Sequence, residues 1–203
     1  MLGWALNRRQ AAVILAACVL AAQALIVVGR PASAEASSVY GWFDYARNGT
    51  NINGTLTWKY LYNDTPPVYS VSWRAGSGMQ LNDKKDVGWL PSGYYAICGH
   101  WDNYNGTAIW GRVWRLSDKY NSEGVLRTGL FIHTEETRTN GQDPTNEGQY
   151  WTDSNPCDYY SAGCVKVSYS NISAVHTRWT NYGGTTAHGD NSPYPLSSRL
   201  YVH

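Results

Sequence analysis

The chain has 203 residues, 43% hydrophobic and 15% charged, with 20 Gly, 10 Trp, 16 Tyr and only 2 Phe. That length suits one sizeable domain and not comfortably two. A formal net charge of +1 without any Lys/Arg run argues against a nucleic-acid binder working through counterion release. Ala, Leu, Glu and Lys do not dominate beyond the first thirty residues, which argues against a coiled coil or helical repeat.

In chain order, Arg8 and Arg9 precede an apolar run over 11–29, and Ala32-Ser33-Ala34 follows as a small-x-small site. This order predicts a signal peptide over 1–34, cleaved after Ala34, and hence a secreted or cell-wall protein. A retained membrane anchor is the competing reading, because the apolar run is nearly long enough to span. Residues 35–203 are expected to form a single mainly β domain with no further membrane span. Within it, 35–68 is an N-terminal strand extension, either an extra edge strand or a small wall-facing addition.

Strand and turn signals then alternate. Asn48-Gly49 and Asn53-Gly54 mark turns, and Leu56, Trp58, Tyr60 and Tyr62 repeat every second residue, as a half-buried strand requires. The Asn-Gly-Thr triplets at Asn48, Asn53 and Asn105 read as tight turns and not as glycosylation sites. A second alternating run carries Tyr69, Val71 and Trp73 and ends in Gly76-Ser77-Gly78. Leu90-Pro91-Ser92-Gly93 turns into a strand over 94–98, and further strands fit 109–116, 129–133, 164–167 and 200–202. The one helix has Ser170 or Asn171 as cap, presents Ile172, Val175 and Trp179 on one face, and stops at Asn181-Tyr182-Gly183-Gly184. The loop over 135–160 is long, polar and rich in Gly, Asn and Asp, a length associated with function or mobility.

Cys18 lies in the export segment, leaving Cys98, Cys157 and Cys164. An odd count in an exported chain implies one disulfide and one free thiol, or three free thiols, and three pairings stay open. Cys164 begins an apolar strand in Ser161-Ala162-Gly163-Cys164-Val165-Lys166-Val167. Upstream, Leu130-Phe131-Ile132-His133-Thr134 ends a strand in an imidazole. A thiol of ordinary pKa needs such a neighbour to attack a carbonyl, and backbone amides beside Gly163 suit a developing oxyanion. The plainer readings are a structural Cys157–Cys164 disulfide, a buried Cys164, a core His133 and a solvated Lys166. Trp58, Trp73, Trp101, Trp110 and Trp114 read mostly as packing, with sugar stacking as the alternative. His100, His176, His188 and His203 lack metal-ligand spacing, so no metal site is expected. Cys98-Gly99-His100 lacks the helix-start setting of papain-like nucleophiles.

An Ile-His at a strand end followed by Ser-x-Gly-Cys-Val-Lys resembles the L,D-transpeptidase (YkuD-like) catalytic domain. The segment from Tyr69 through Ser77-Gly78 to Pro91-Ser92-Gly93-Tyr94-Tyr95 is similar to these domains too, especially to the branch of L,D-transpeptidase-like antibacterial effectors. The likeness covers 69–203. It implies an L,D-transpeptidase-like β-sandwich or mixed-sheet fold with one helix after the strand of the catalytic Cys. It also implies Cys164 as nucleophile, His133 as base, Ser161 as hydrogen-bonding support, and Gly163 with the Cys164 amide as oxyanion hole. Lys166 and Thr134 would contact substrate. With Cys164 kept as the free thiol, a Cys98–Cys157 disulfide is the preferred pairing. The implied activity is thioester formation with a peptidoglycan stem tetrapeptide, release of D-alanine and 3→3 cross-linking, with peptidoglycan stem peptides as partners and no cofactor. It further implies acylation of Cys164 by carbapenems. L,D-carboxypeptidase, an antibacterial effector with the same Cys-His site, and a non-catalytic wall-binding module are the alternatives. Two departures stand out: Ala162 replaces the His that most members carry, and the 135–160 insertion lengthens the interval between His133 and Cys164.

Overall fold

A computed structural model describes residues 39–63, 65–143, 151–152, 154–186 and 198–203. The expected signal segment, its cleavage site, Cys18, His188 and parts of the 135–160 loop lie outside the described residues. Among the described residues there are ten strands: β1 (Val39–Ala46), β2 (Gly54–Tyr62), β3 (Thr65–Ser77), β4 (Gly93–Asn105), β5 (Trp110–Leu116), β6 (Lys119–Tyr120), β7 (Leu126–Arg127), β8 (Phe131–His133), β9 (Val165–Val167) and β10 (Arg199–Val202). One 3-10 turn covers Pro156–Tyr159, and helix α1 covers Tyr169–Asn181. No helix among the described residues is long and apolar enough to cross a membrane.

Eight strands close into a barrel in the order β1-β10-β4-β5-β8-β9-β3-β2, while β6 and β7 form a separate two-stranded ribbon. The mainly β, mixed-sheet expectation therefore holds, but one closed sheet replaces two stacked layers. Closure comes from β1, which pairs antiparallel with β2 and parallel with β10. This corrects the expected edge extension over 35–68: β1 and β2 are wall strands, and Phe43 and Tyr45 from β1 are fully buried. The alternation needed is visible in β1 itself, where Gly41, Phe43 and Tyr45 face inward.

The interior is aromatic. Phe43 meets Trp58 edge-on at 4.8 Å and Trp114 at 5.7 Å, and Trp114 meets Trp179 of α1 at 6.1 Å. Such edge-to-face pairs add about 0.5–1.5 kcal/mol each beyond burial. Gly41 makes room for this stack, since a Cβ there would lie 2.1 Å from the Trp58 ring. Helix α1 joins the same core through Ile172, Val175 and Trp179, as its sequence spacing predicts. Its cap is Ser168, slightly earlier than expected, and Ser170 and Asn171 fall inside the first turn.

The barrel also explains the long loop. Strands β8 and β9 are adjacent and parallel, and a parallel pair needs a crossover of a dozen residues or more to bring the chain back. Residues 134–164 are that crossover.

Candidate active site

The parallel register pairs Ile132 with Val165 and His133 with Lys166. Ile132, Val165 and Val167 belong to the interior core, so alternation sends Phe131, His133, Cys164 and Lys166 to the outer face. Cys164 packs there with Phe131 and Val113. It stands diagonal to His133, a separation that facing side chains on a sheet can bridge.

Both residues line one cleft of about 450 Å³. Thr134 and Lys166 line it too, with Glu135, Glu136, Asp143 and Ser161 from the crossover and the 108–110 and 128–130 segments.

The His133 ring is oriented by the backbone. Its Nδ1–H donates to the Thr134 carbonyl at 3.0 Å, which fixes the neutral tautomer and leaves Nε2 as the basic lone pair. Burial, followed by the charge of Lys166, lowers the imidazole pKa to about 4, against a weaker raising effect of the Thr134 hydrogen bond. Burial pushes the Cys164 thiol up to about 11; a backbone hydrogen bond from Phe131 and the charges of Arg127 and Lys166 act in the opposite direction. The thiol donates to the Gly129 carbonyl at 3.7 Å. At neutral pH both groups are therefore uncharged, and the resting site is a neutral thiol beside a neutral imidazole. No hydrogen bond joins the two among the described residues.

Lys166 is buried and ion-paired with Glu135, itself buried. This corrects the solvated reading of Lys166: its ammonium is engaged inside the cleft, 5.5 Å from the Trp151 ring. Thr134 is buried too, and its Oγ1 has no hydrogen-bond partner among the described residues. Glu136 accepts from the Arg112 amide at 2.7 Å and pairs with its guanidinium.

The loop that presents Cys164 is braced from behind. Ser161 Oγ donates to the Cys164 carbonyl at 2.7 Å and accepts from the amides of Gly163 at 3.2 Å and Gly78 at 3.0 Å. The expected support role of Ser161 thus has a geometric basis. The same bond engages the Gly163 amide, so Cys164 carries the remaining candidate amide for an oxyanion. Ser77 and Gly78 explain why their motif accompanies the Cys: Ser77 Oγ accepts from the Leu90 amide at 2.9 Å and donates to the Gly163 carbonyl at 3.5 Å.

Arg127 was not legible in the sequence. It is 2% exposed, and its guanidinium donates to four backbone carbonyls: Asp83 at 2.7 Å, Trp89 at 3.3 Å, Gly88 at 3.3 Å and Ala162 at 3.0 Å. Gly163 fits against it only without a side chain: its φ is +113°, and a Cβ would lie 1.7 Å from Arg127 Nη2. Glu135, Glu136 and Asp143 line the cleft as well, and the only sequence signal for them is the pair of carboxylates directly after the strand-terminal His133.

The preferred Cys98–Cys157 disulfide does not form. All three cysteines are free, with Cys98 and Cys157 exposed and Cys164 buried. Cys98 is on β4, whereas the 3-10 turn of Cys157 packs on β3. Three strands separate β4 from β3 in either direction around the barrel, so the two thiols face outward on opposite sides.

Comparison with protein-family models, with curated proteins and with solved structures finds no match for this chain.

Proposed function

We propose that the chain is a cysteine acyltransferase, with Cys164 as nucleophile and His133 as general base. More narrowly, the reading is an exported L,D-transpeptidase that acts on peptidoglycan stem tetrapeptides in the cell wall. One observation carries the chemistry: His133 at the end of β8 and Cys164 immediately before the adjacent parallel β9 share a cleft, with His133 Nδ1 committed to Thr134 and Nε2 left as the free lone pair. The substrate class rests on the resemblance of the 69–203 motifs, whose Ser77-Gly78 and Ser161-x-Gly163-Cys164 parts are in contact.

In this reading the thiol turns from the Gly129 carbonyl toward His133 as substrate enters. Nε2 takes the proton while Sγ attacks the carbonyl at the L-centre of the third stem residue. The imidazolium then protonates the leaving amine, D-alanine departs and a thioester on Cys164 remains. A side-chain amine from a second stem, deprotonated by His133, attacks the thioester, giving a 3→3 link and restoring the thiol. Water in place of the amine yields L,D-carboxypeptidase chemistry at the same site. Arg127 and Lys166 place positive charge near the sulfur and favour the anionic transition state.

The test is D-alanine release from a stem tetrapeptide. Wild type is expected to release it, and Cys164→Ala to lose at least about a thousandfold in rate. No release by wild type, or undiminished release by Cys164→Ala, overturns the proposal.

A further inference from the structure

Away from the cleft, the fold gathers two histidines and a carboxylate that lie far apart in sequence. His100 and Asp102 are two positions apart on β4, a spacing that puts both on one face of a strand. One register shift, between Ile97 and Gly99, precedes His100, and a second, between Trp101 and Tyr104, includes Asp102. Such bulges re-aim side chains. His176 arrives from α1. The three ligand atoms lie within 4.8 Å of one another. Asp102 Oδ1 is 2.9 Å from His176 Nε2 and 3.7 Å from His100 Nε2, and the two imidazoles stack at 5.1 Å with 17° between planes.

Two observations set this cluster apart from a surface ion pair. His100 Nε2 is buried without a hydrogen-bond partner among the described residues, an arrangement that calls for an explanation. The ring is held by Trp114 at 5.0 Å and Trp179 at 4.5 Å, so its orientation is fixed.

We propose that His100, Asp102 and His176 form a binding site for a borderline divalent transition-metal ion, Zn²⁺ foremost, which clamps β4 to α1. Two imidazole nitrogens and one carboxylate oxygen suit Zn²⁺ and its neighbours, and do not suit Mg²⁺ or Ca²⁺, which prefer oxygen ligands alone. Bonds of about 2.0–2.2 Å require ligand atoms to sit roughly 3.3–3.6 Å apart in a tetrahedron. Asp102, 58% exposed, is the member free to adjust. Water completes the coordination. None of the three residues lines the Cys164 cleft, so the inference stands apart from the acyltransferase reading.

The experiment uses the full chain without a polyhistidine tag, stripped with chelator and titrated with Zn²⁺ by calorimetry and with Co²⁺ by absorption. One equivalent is expected to bind, with visible cobalt bands and no sulfur-to-cobalt charge transfer. His176→Gln and Asp102→Asn, both at solvent-accessible positions, are expected to weaken binding by at least about a hundredfold. Zn²⁺ should raise the Tm of wild type and leave that of His176→Gln unchanged. Absence of stoichiometric binding overturns the proposal and leaves a His-Asp-His hydrogen-bond network. Binding that survives both substitutions, or that shows thiolate charge transfer, overturns it equally. D-alanine release by His176→Gln tests the acyltransferase reading separately.

Discussion

At the scale of single residues, burial keeps both the Cys164 thiol and the His133 imidazole neutral. With the Cys164 thiol near 11 and the His133 imidazolium near 4, charge separation between the two is strongly disfavoured. On the proposed mechanism, proton transfer to His133 accompanies attack of the thiol on the substrate carbonyl. Below its raised pKa the thiol stays protonated, so its thiolate fraction grows about tenfold per pH unit. In a Cys98→Ser, Cys157→Ser background, the iodoacetamide alkylation rate of Cys164 is therefore expected to climb without a plateau between about pH 6 and 9. A plateau across neutral pH contradicts the neutral pair and indicates a preformed thiolate–imidazolium. The lowered pKa of His133 works in the other direction: the base remains unprotonated at pH 6 and below, and kcat/KM should fall only as pH approaches about 4. His133 and Cys164 were legible because alternation in two short apolar strands and the reactivity of thiols both point to them. Arg127 was not, because its meaning lies in carbonyls contributed by Asp83, Gly88, Trp89 and Ala162, all remote in sequence.

At the scale of elements, the Cys164 loop is held between β3, the 83–89 turn and β7. A buried guanidinium that satisfies four carbonyls orients a loop without using any side-chain partner on it. Arg127→Leu removes those donors, leaving the buried Gly88 carbonyl unpaired and the part-buried Asp83, Trp89 and Ala162 carbonyls without this partner, a loss of about 1–3 kcal/mol in stability. The urea midpoint is expected to drop accordingly, and Arg127→Lys is expected to recover part of the loss. A midpoint unchanged in Arg127→Leu contradicts the brace. The 135–160 loop illustrates a partial reading: its length was evident, but its cause is the parallel pairing of β8 and β9, a long-range fact that local pattern does not carry. The His100, Asp102 and His176 cluster escaped for the same reason, since it is assembled by packing α1 against β4 and not by spacing along the chain.

At the scale of the molecule, strand character was readable almost everywhere, while closure was not. The barrel is sealed by β1 against β10, a parallel pairing of segments from opposite ends of the chain, and periodicity specifies faces, not partners. Closure matters for the site because it makes the interior apolar and rigid, so that every second residue of β8 and β9 is driven outward into the cleft. Exposure to a carbapenem followed by intact-protein mass and peptide mapping tests the central claim most directly. A single adduct per chain on the Cys164 peptide, absent from Cys164→Ala, is predicted. No adduct anywhere between about pH 6 and 9, or an adduct confined to Cys98 or Cys157, contradicts the assignment.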